Sequence, residues 1–224
     1  VEMQGNLFDH DREVVQLHFG GGTPTYHDDE QLRTLMAGLG RHFSLSTDSS
    51  REYSIEVDPR TVTMDRLGQL ADMGFNRISL GVQDIEPQVQ KAVHRIQDTQ
   101  ATMEMIEGSR ALGFNSVSID LIYGLPHQTV ESLKRTIGQC VEMRPDRIAL
   151  FGYAHVPWMA KKQRLIDEAA LPKPSRVMPT PAPVRASRTV VESSAQSLRA
   201  CSVISTRSCC GGAPQLSSAR STLS

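Results

Sequence analysis

Apolar residues follow two alternating rhythms along most of the chain. Val14, Val15, Leu17 and Phe19 crowd Glu13–Phe19 as in a β-strand, and the run stops at Gly20-Gly21-Gly22. Leu32, Leu35, Met36 and Leu39 then fall at helical spacing behind Asp28 or Asp29 as N-cap, with Gly40 near the end. Tyr53 to Asp58 alternates apolar with polar and halts at Pro59. Thr63 opens a helix through Met64, Leu67, Leu70 and Met73 that Gly74 closes. The same alternation predicts strands at 77–82, 116–123 and 147–153. Helices are predicted from Glu86 to about Val93, over 99–112 and from Thr129 through Val141, and a last one over 158–170.

Strand and helix alternate throughout, with about thirty to forty residues per unit, the spacing of βαβ connections. Right-handed crossovers make the sheet parallel, as a barrel or a doubly wound sheet. One apolar stripe per helix suits helices packed outside that sheet. The strand ends carry the glycine run, Glu56 with Asp58, Gln83 with Asp84, Asp120, and Tyr153-Ala154-His155. Polar groups gathered at the carboxyl rim of parallel strands favour a barrel with its site there. Three glycines in a row let the backbone approach a ligand closely; they also make plain tight turns.

The charges of the 224 residues sum to −1, which gives no basis for electrostatic capture of nucleic acid. Mean hydropathy is −0.30, and no apolar run reaches membrane-spanning length. The four cysteines, Cys140, Cys201, Cys209 and Cys210, show neither zinc nor thioredoxin spacing, so a reducing, cytoplasmic setting is expected. From Met178 the composition shifts to Ser, Arg, Ala, Pro and Cys, with Glu192 the only acid. Residues 178–224 read as a disordered or frame-shifted low-complexity tail.

In order along the chain, LHFGGGTPTY, SIEVDPR, GFNRISLGVQD, VHRIQD, SIDLIYGLPHQT and FGYAHVPW resemble the oxygen-independent coproporphyrinogen III oxidases, which are radical S-adenosylmethionine (SAM) enzymes. The resemblance runs from about Val14 to Leu171. A haem-handling group of paralogues shares GGGTP and GVQ but carries Gly-Arg-x-His where this chain has His94 to Gln97, so the oxidase is the nearer likeness. Haem binding or transfer on the same fold is the alternative. The resemblance implies an α/β fold, here an incomplete (β/α)6 partial TIM-like barrel over residues 1–177. It also implies an oxidoreductase of porphyrin synthesis. A 5'-deoxyadenosyl radical, made from SAM at a [4Fe–4S] cluster, starts the oxidative decarboxylation of coproporphyrinogen III to protoporphyrinogen IX. The implied partners are the porphyrinogen and an electron donor, with no nucleic acid and no membrane, and the complete enzyme is a monomer.

Two SAM molecules per site are implied. Residue by residue, the resemblance places Gly21 and Glu56 at the first, Gly22, Thr23, Gln83, Arg95 and Asp120 at the second, and Ala154 as a backbone or packing contact of the cofactor site. The family's three cluster cysteines, spaced CxxxCxxC, lie upstream of the glycine loop, whereas the first cysteine here is Cys140, within a helix. The sequence therefore reads as an internal piece of such an enzyme, without the first strand and cluster loop and inactive by itself. An open sheet edge is expected where that strand belongs.

Overall fold

The computed structural model describes residues 12–173 and the strand Ile204–Arg207. The expectations for residues 178–224, with Cys201, Cys209 and Cys210, lie outside the described residues, that strand excepted.

Six strands run parallel: β1 (Glu13–Phe19), β2 (Ser44–Leu45), β3 (Glu52–Val57), β4 (Arg77–Gln83), β5 (Ser116–Tyr123) and β6 (Arg147–Gly152). Their order is β2-β1-β3-β4-β5-β6. From β1 onward each strand lies beside the next long one in the chain, with no reversal of direction. A doubly wound sheet needs such a reversal, so the arc is that of a partial TIM-like barrel. Strand β2 was not expected, because two residues are too short to show a period. Along β1, Gln16 and Leu17 pair with β3 and also with the antiparallel β7 (Ile204–Arg207). The edge expected to be open therefore carries a strand.

The helices are α1 (Asp29–His42), α2 (Met64–Asp72), α3 (Pro87–Ala92), α4 (Thr99–Ala111) and α5 (Val130–Glu142). Side chains hold four of their starts. Asp28 accepts from the Gln31 N–H at 2.8 Å while the Gln31 side chain accepts from the Asp28 N–H at 3.2 Å, a capping box. Thr129 and Ser132 form a second box at α5, and Thr63 and Asp98 cap α2 and α4.

Alternate strand residues face the helices and form the core. Leu17, Ile55, Leu80, Ile119 and Leu121 are buried there with Leu32, Leu67, Leu70 and Ile106 from the helices. The helical stripe is narrower than the spacing suggested, since Leu35, Leu112 and Val141 are exposed. The opposite, concave face of the sheet is polar, so the core is one-sided.

The helix expected over 158–170 does not form. Two 3₁₀ turns, Lys161–Leu165 and Glu168–Ala170, stand in its place. Trp158, Met159 and Leu165 are all more than two-thirds exposed, so no apolar face is buried to support a helix. The Gln163 side chain instead folds back, accepting from the Val156 N–H at 2.5 Å and donating to the Ala154 carbonyl at 3.0 Å.

Candidate functional site

The concave face encloses a cavity of about 580 Å³. His18, Ser54, Glu56, Ser79, Ser118 and Asp120 line its middle, Glu52, Arg77 and Arg147 lie at the amino ends of their strands, and Gln16 lies beside Glu52. Period-two alternation puts them there: Ile55, Val57, Ile119 and Leu121 point to the core, so Glu56 and Asp120 point the other way. Parallel register then sets His18 beside Ser54, Glu56 beside Ser79, and Asp120 beside Gly81.

The glycine loop closes over this face. The Gly21 N–H donates to Glu56 Oε2 at 3.1 Å. His18 Nε2 lies 3.3 Å from Glu56 Oε1, and His18 Nδ1 lies 2.6 Å from Ser54 Oγ. Gly20 passes so close that a Cβ there would stand 2.5 Å from His18 Nε2 and 2.6 Å from Glu56 Oε1. Gly21 and Gly22 take φ of 85° and 143°, a region closed to most side chains. Two strands away the Ser79 hydroxyl donates to Asp120 Oδ1 at 2.7 Å. Burial pushes the Asp120 carboxyl up to about 6; the Ser79 hydrogen bond and His18 oppose this, and the nearby Glu56 carboxylate adds to it.

A second group forms at the rim of β3 and β4. Arg95 donates to the Gly81 carbonyl at 2.7 Å and pairs with Asp58 at 3.1 Å, while Arg60 meets the same Asp58 oxygen at 2.7 Å. Burial raises the Asp58 carboxyl, but hydrogen bonds from Arg60 and the charges of Arg95 and Arg60 outweigh it and hold it below the ordinary carboxylate range. Gln83 stands at the bulge between β4 and β5 with φ 68°, its amide nitrogen near Gly81. The Nε of Arg95 is buried without a hydrogen-bond partner, so the guanidinium keeps unused donor capacity.

Of the eight expected site residues, Gly21 meets Glu56, and Gln83 and Arg95 both approach Gly81. Asp120 lies within electrostatic reach of Glu56. Gly22 and Thr23 are exposed in the loop. Ala154 stands apart beyond β6, its carbonyl taken by Gln163. His18, Ser54 and Ser79 were not expected as site residues, and Asp58 was expected among the polar groups of the rim without a cofactor role. For the first three the signal was present: polar residues every second position in QLH, YSIE and RISLG face inward together. The donors and carboxylates fit a polar zwitterion with hydroxyls, binding backbone N–H and guanidinium on one side and carboxylates on the other.

Comparisons with known proteins place the fold in a family. The oxygen-independent coproporphyrinogen III oxidase of Pseudomonas aeruginosa is 44% identical over 176 residues, which is 79% of this chain and 38% of the relative. That of Salmonella typhimurium is 48% identical over 162 residues, 72% of this chain and 35% of the relative. The chain thus spans little more than a third of the length of the relatives it matches. The solved coproporphyrinogen III oxidase of Escherichia coli, described as a radical SAM enzyme, superposes with a TM-score of 0.71 at 44% identity, over 78% of this chain and 40% of that one. The family model of the radical SAM superfamily matches residues 2–140. With that match over more than half its length, the chain belongs to the radical SAM superfamily.

Proposed function

We propose that this chain is the SAM-binding part of an oxygen-independent coproporphyrinogen III oxidase of haem biosynthesis. The observation that carries this is its identity of 44–48% to enzymes of that name over 162 to 176 residues. The substrate is a porphyrinogen, an electron donor is required, and the setting is cytoplasmic. The barrel occupies residues 1–177, and we assign no chemistry to 178–224.

SAM fits the residues present. Gly21 and Glu56 receive one molecule, the carboxylate accepting from hydroxyl or ammonium groups. Gly22, Thr23, Gln83, Arg95 and Asp120 receive a second, with the unpaired Arg95 Nε as a donor in reserve, and Ala154 adds a backbone or packing contact. When bound to a reduced cluster, SAM supplies the radical chemistry that begins decarboxylation. The residues of this chain bind, orient and screen it from water.

The cluster does not fit the described residues. Cys140 is fully buried in α5, and burial, with the nearby Asp84, pushes its thiol up to about 12. Among the described residues no group of three metal-ligating side chains converges. The chain by itself is therefore expected to bind SAM without cleaving it. Calorimetry with SAM, followed by anaerobic incubation with iron, sulfide and reductant, tests both parts. Binding that weakens at least about tenfold in Glu56→Gln and Arg95→Ala, with no 5'-deoxyadenosine formed, is the expected result. Absence of SAM binding overturns the cofactor assignment, and 5'-deoxyadenosine formation overturns the inactivity.

A further inference from the structure

We infer that Ser54 and His18 are a positioning pair that fixes the Glu56 carboxylate against the glycine loop, in the pose that meets the cofactor. The inference rests on Glu56 being a cofactor contact.

The pair is built by register. His18 on β1 and Ser54 on β3 are direct partners, and Glu56 lies two residues further along β3 on the same face. Glu56 is held through both oxygens, Oε2 by the Gly21 N–H at 3.1 Å and Oε1 by His18 Nε2 at 3.3 Å. A carboxylate only accepts, so Nε2 must carry a proton to hold Oε1. The other ring nitrogen, Nδ1, then accepts from the Ser54 hydroxyl at 2.6 Å. With the proton on Nδ1 instead, a nitrogen lone pair would face the carboxylate. The Glu56 carboxylate therefore selects this tautomer, and Ser54, whose other acceptor is the Leu17 carbonyl at 3.5 Å, holds the ring in place by donating to Nδ1.

The loop also bounds the contact on one side. The backbone at Gly20 passes directly over it, which is why a Cβ there would meet both His18 Nε2 and Glu56 Oε1. Sterics from the loop and hydrogen bonds from the sheet thus confine the same carboxylate. Neither feature serves the core, which lies on the opposite face of the sheet.

The test begins with the ligand-free full chain, by nitrogen-15 NMR of His18 and amide exchange at Gly21. We expect neutral His18 to carry its proton on Nε2, Glu56→Gln, whose amide can accept or donate, to mix the tautomers, and Ser54→Ala, which frees the ring, to raise Gly21 exchange in the same direction as His18→Phe. Gly21 exchange is expected to rise about tenfold in His18→Phe, the loss of about one hydrogen bond. His18→Gln, whose amide can reach the Nε2 position, restores it, while the Ile55 and Ile119 amides stay protected in every variant. A proton on Nδ1, or Gly21 exchange unchanged in His18→Phe, overturns the proposal. SAM calorimetry adds a coupling test. His18→Phe should weaken binding in the parent and add nothing in Glu56→Gln; additive losses overturn the proposal. If Glu56→Gln leaves SAM affinity intact, the cofactor assignment of Glu56 fails, whatever the NMR shows.

Discussion

Asp120 lies in β5 between Ile119 and Leu121, both fully buried, while its own half-buried carboxyl faces the cavity. Its pKa, raised to about 6, means that the folded chain binds this proton more tightly than the unfolded chain does. Stability from this source is fully present below the unfolded value of 3.8 and is lost as pH rises through about 6. The difference caps the penalty at about 3 kcal/mol, and contact with solvent at the cavity makes it smaller. Asp120→Asn keeps an acceptor for Ser79 and removes the penalty. The variant should melt several degrees above the parent at pH 8, with the gap closing toward pH 4. A gap that does not change with pH contradicts this, and calorimetric melts across that range decide. Glu56 and Asp120 were legible in the sequence because each is an acid flanked by apolar strand residues. His18, Ser54 and Ser79 were harder to see. Alternation puts each on the inner face of its strand, but which partners it meets is set by register between strands, which a single sequence does not show.

Among the elements, the glycine loop separates site from fold. Gly20→Ala would place a methyl group on the far ends of two side chains, His18 and Glu56, which can swing aside. Stability should fall by only about 1 kcal/mol, while Glu56 leaves the loop and SAM affinity drops about tenfold. A variant that binds SAM as the parent does would show that Glu56 has slack there; urea unfolding with calorimetry measures both effects. Helix starts give a contrasting case. Asp28→Ala removes one half of the α1 capping box and should cost about 1 kcal/mol without touching the cavity, so denaturation shifts and SAM binding does not. The caps at Asp28, Thr63 and Thr129 were readable because capping is local chemistry. The 158–170 segment was misread for the opposite reason. Its composition permits a helix, but whether Trp158, Met159 and Leu165 find a surface to cover is decided by the rest of the molecule.

At the scale of the whole molecule, a sheet whose core lies on one face needs its strand ends tied together on that side. Asp84, only 1% exposed, makes one such tie just beyond β4. Its carboxylate accepts from Gln128 Nε2 at 2.5 Å, from the Thr136 hydroxyl at 2.8 Å and from the Glu86 N–H at 2.8 Å. Gln128 in turn accepts from the Gly124 N–H at 2.6 Å and donates to the Ile122 carbonyl at 3.0 Å. One carboxylate thus joins the end of β4, the turn after β5 and the body of α5. No cation pairs with it among the described residues, so its cost of burial is met by hydrogen bonds alone. Asp84→Ala leaves three buried donors without an acceptor and should destabilise by about 3 kcal/mol or more. Asp84→Asn is no rescue, because its amide would point a donor at another donor. Thr136→Val removes only one of the three bonds and should cost about 1 kcal/mol. Because the tie spans the sheet, its loss should also loosen Asp120 and Arg95, which β5 and the segment after α3 position. The Asp84→Ala variant should therefore show faster amide exchange at the ends of both β4 and β5. Faster exchange confined to α5 would mean that Asp84 braces one helix rather than the rim.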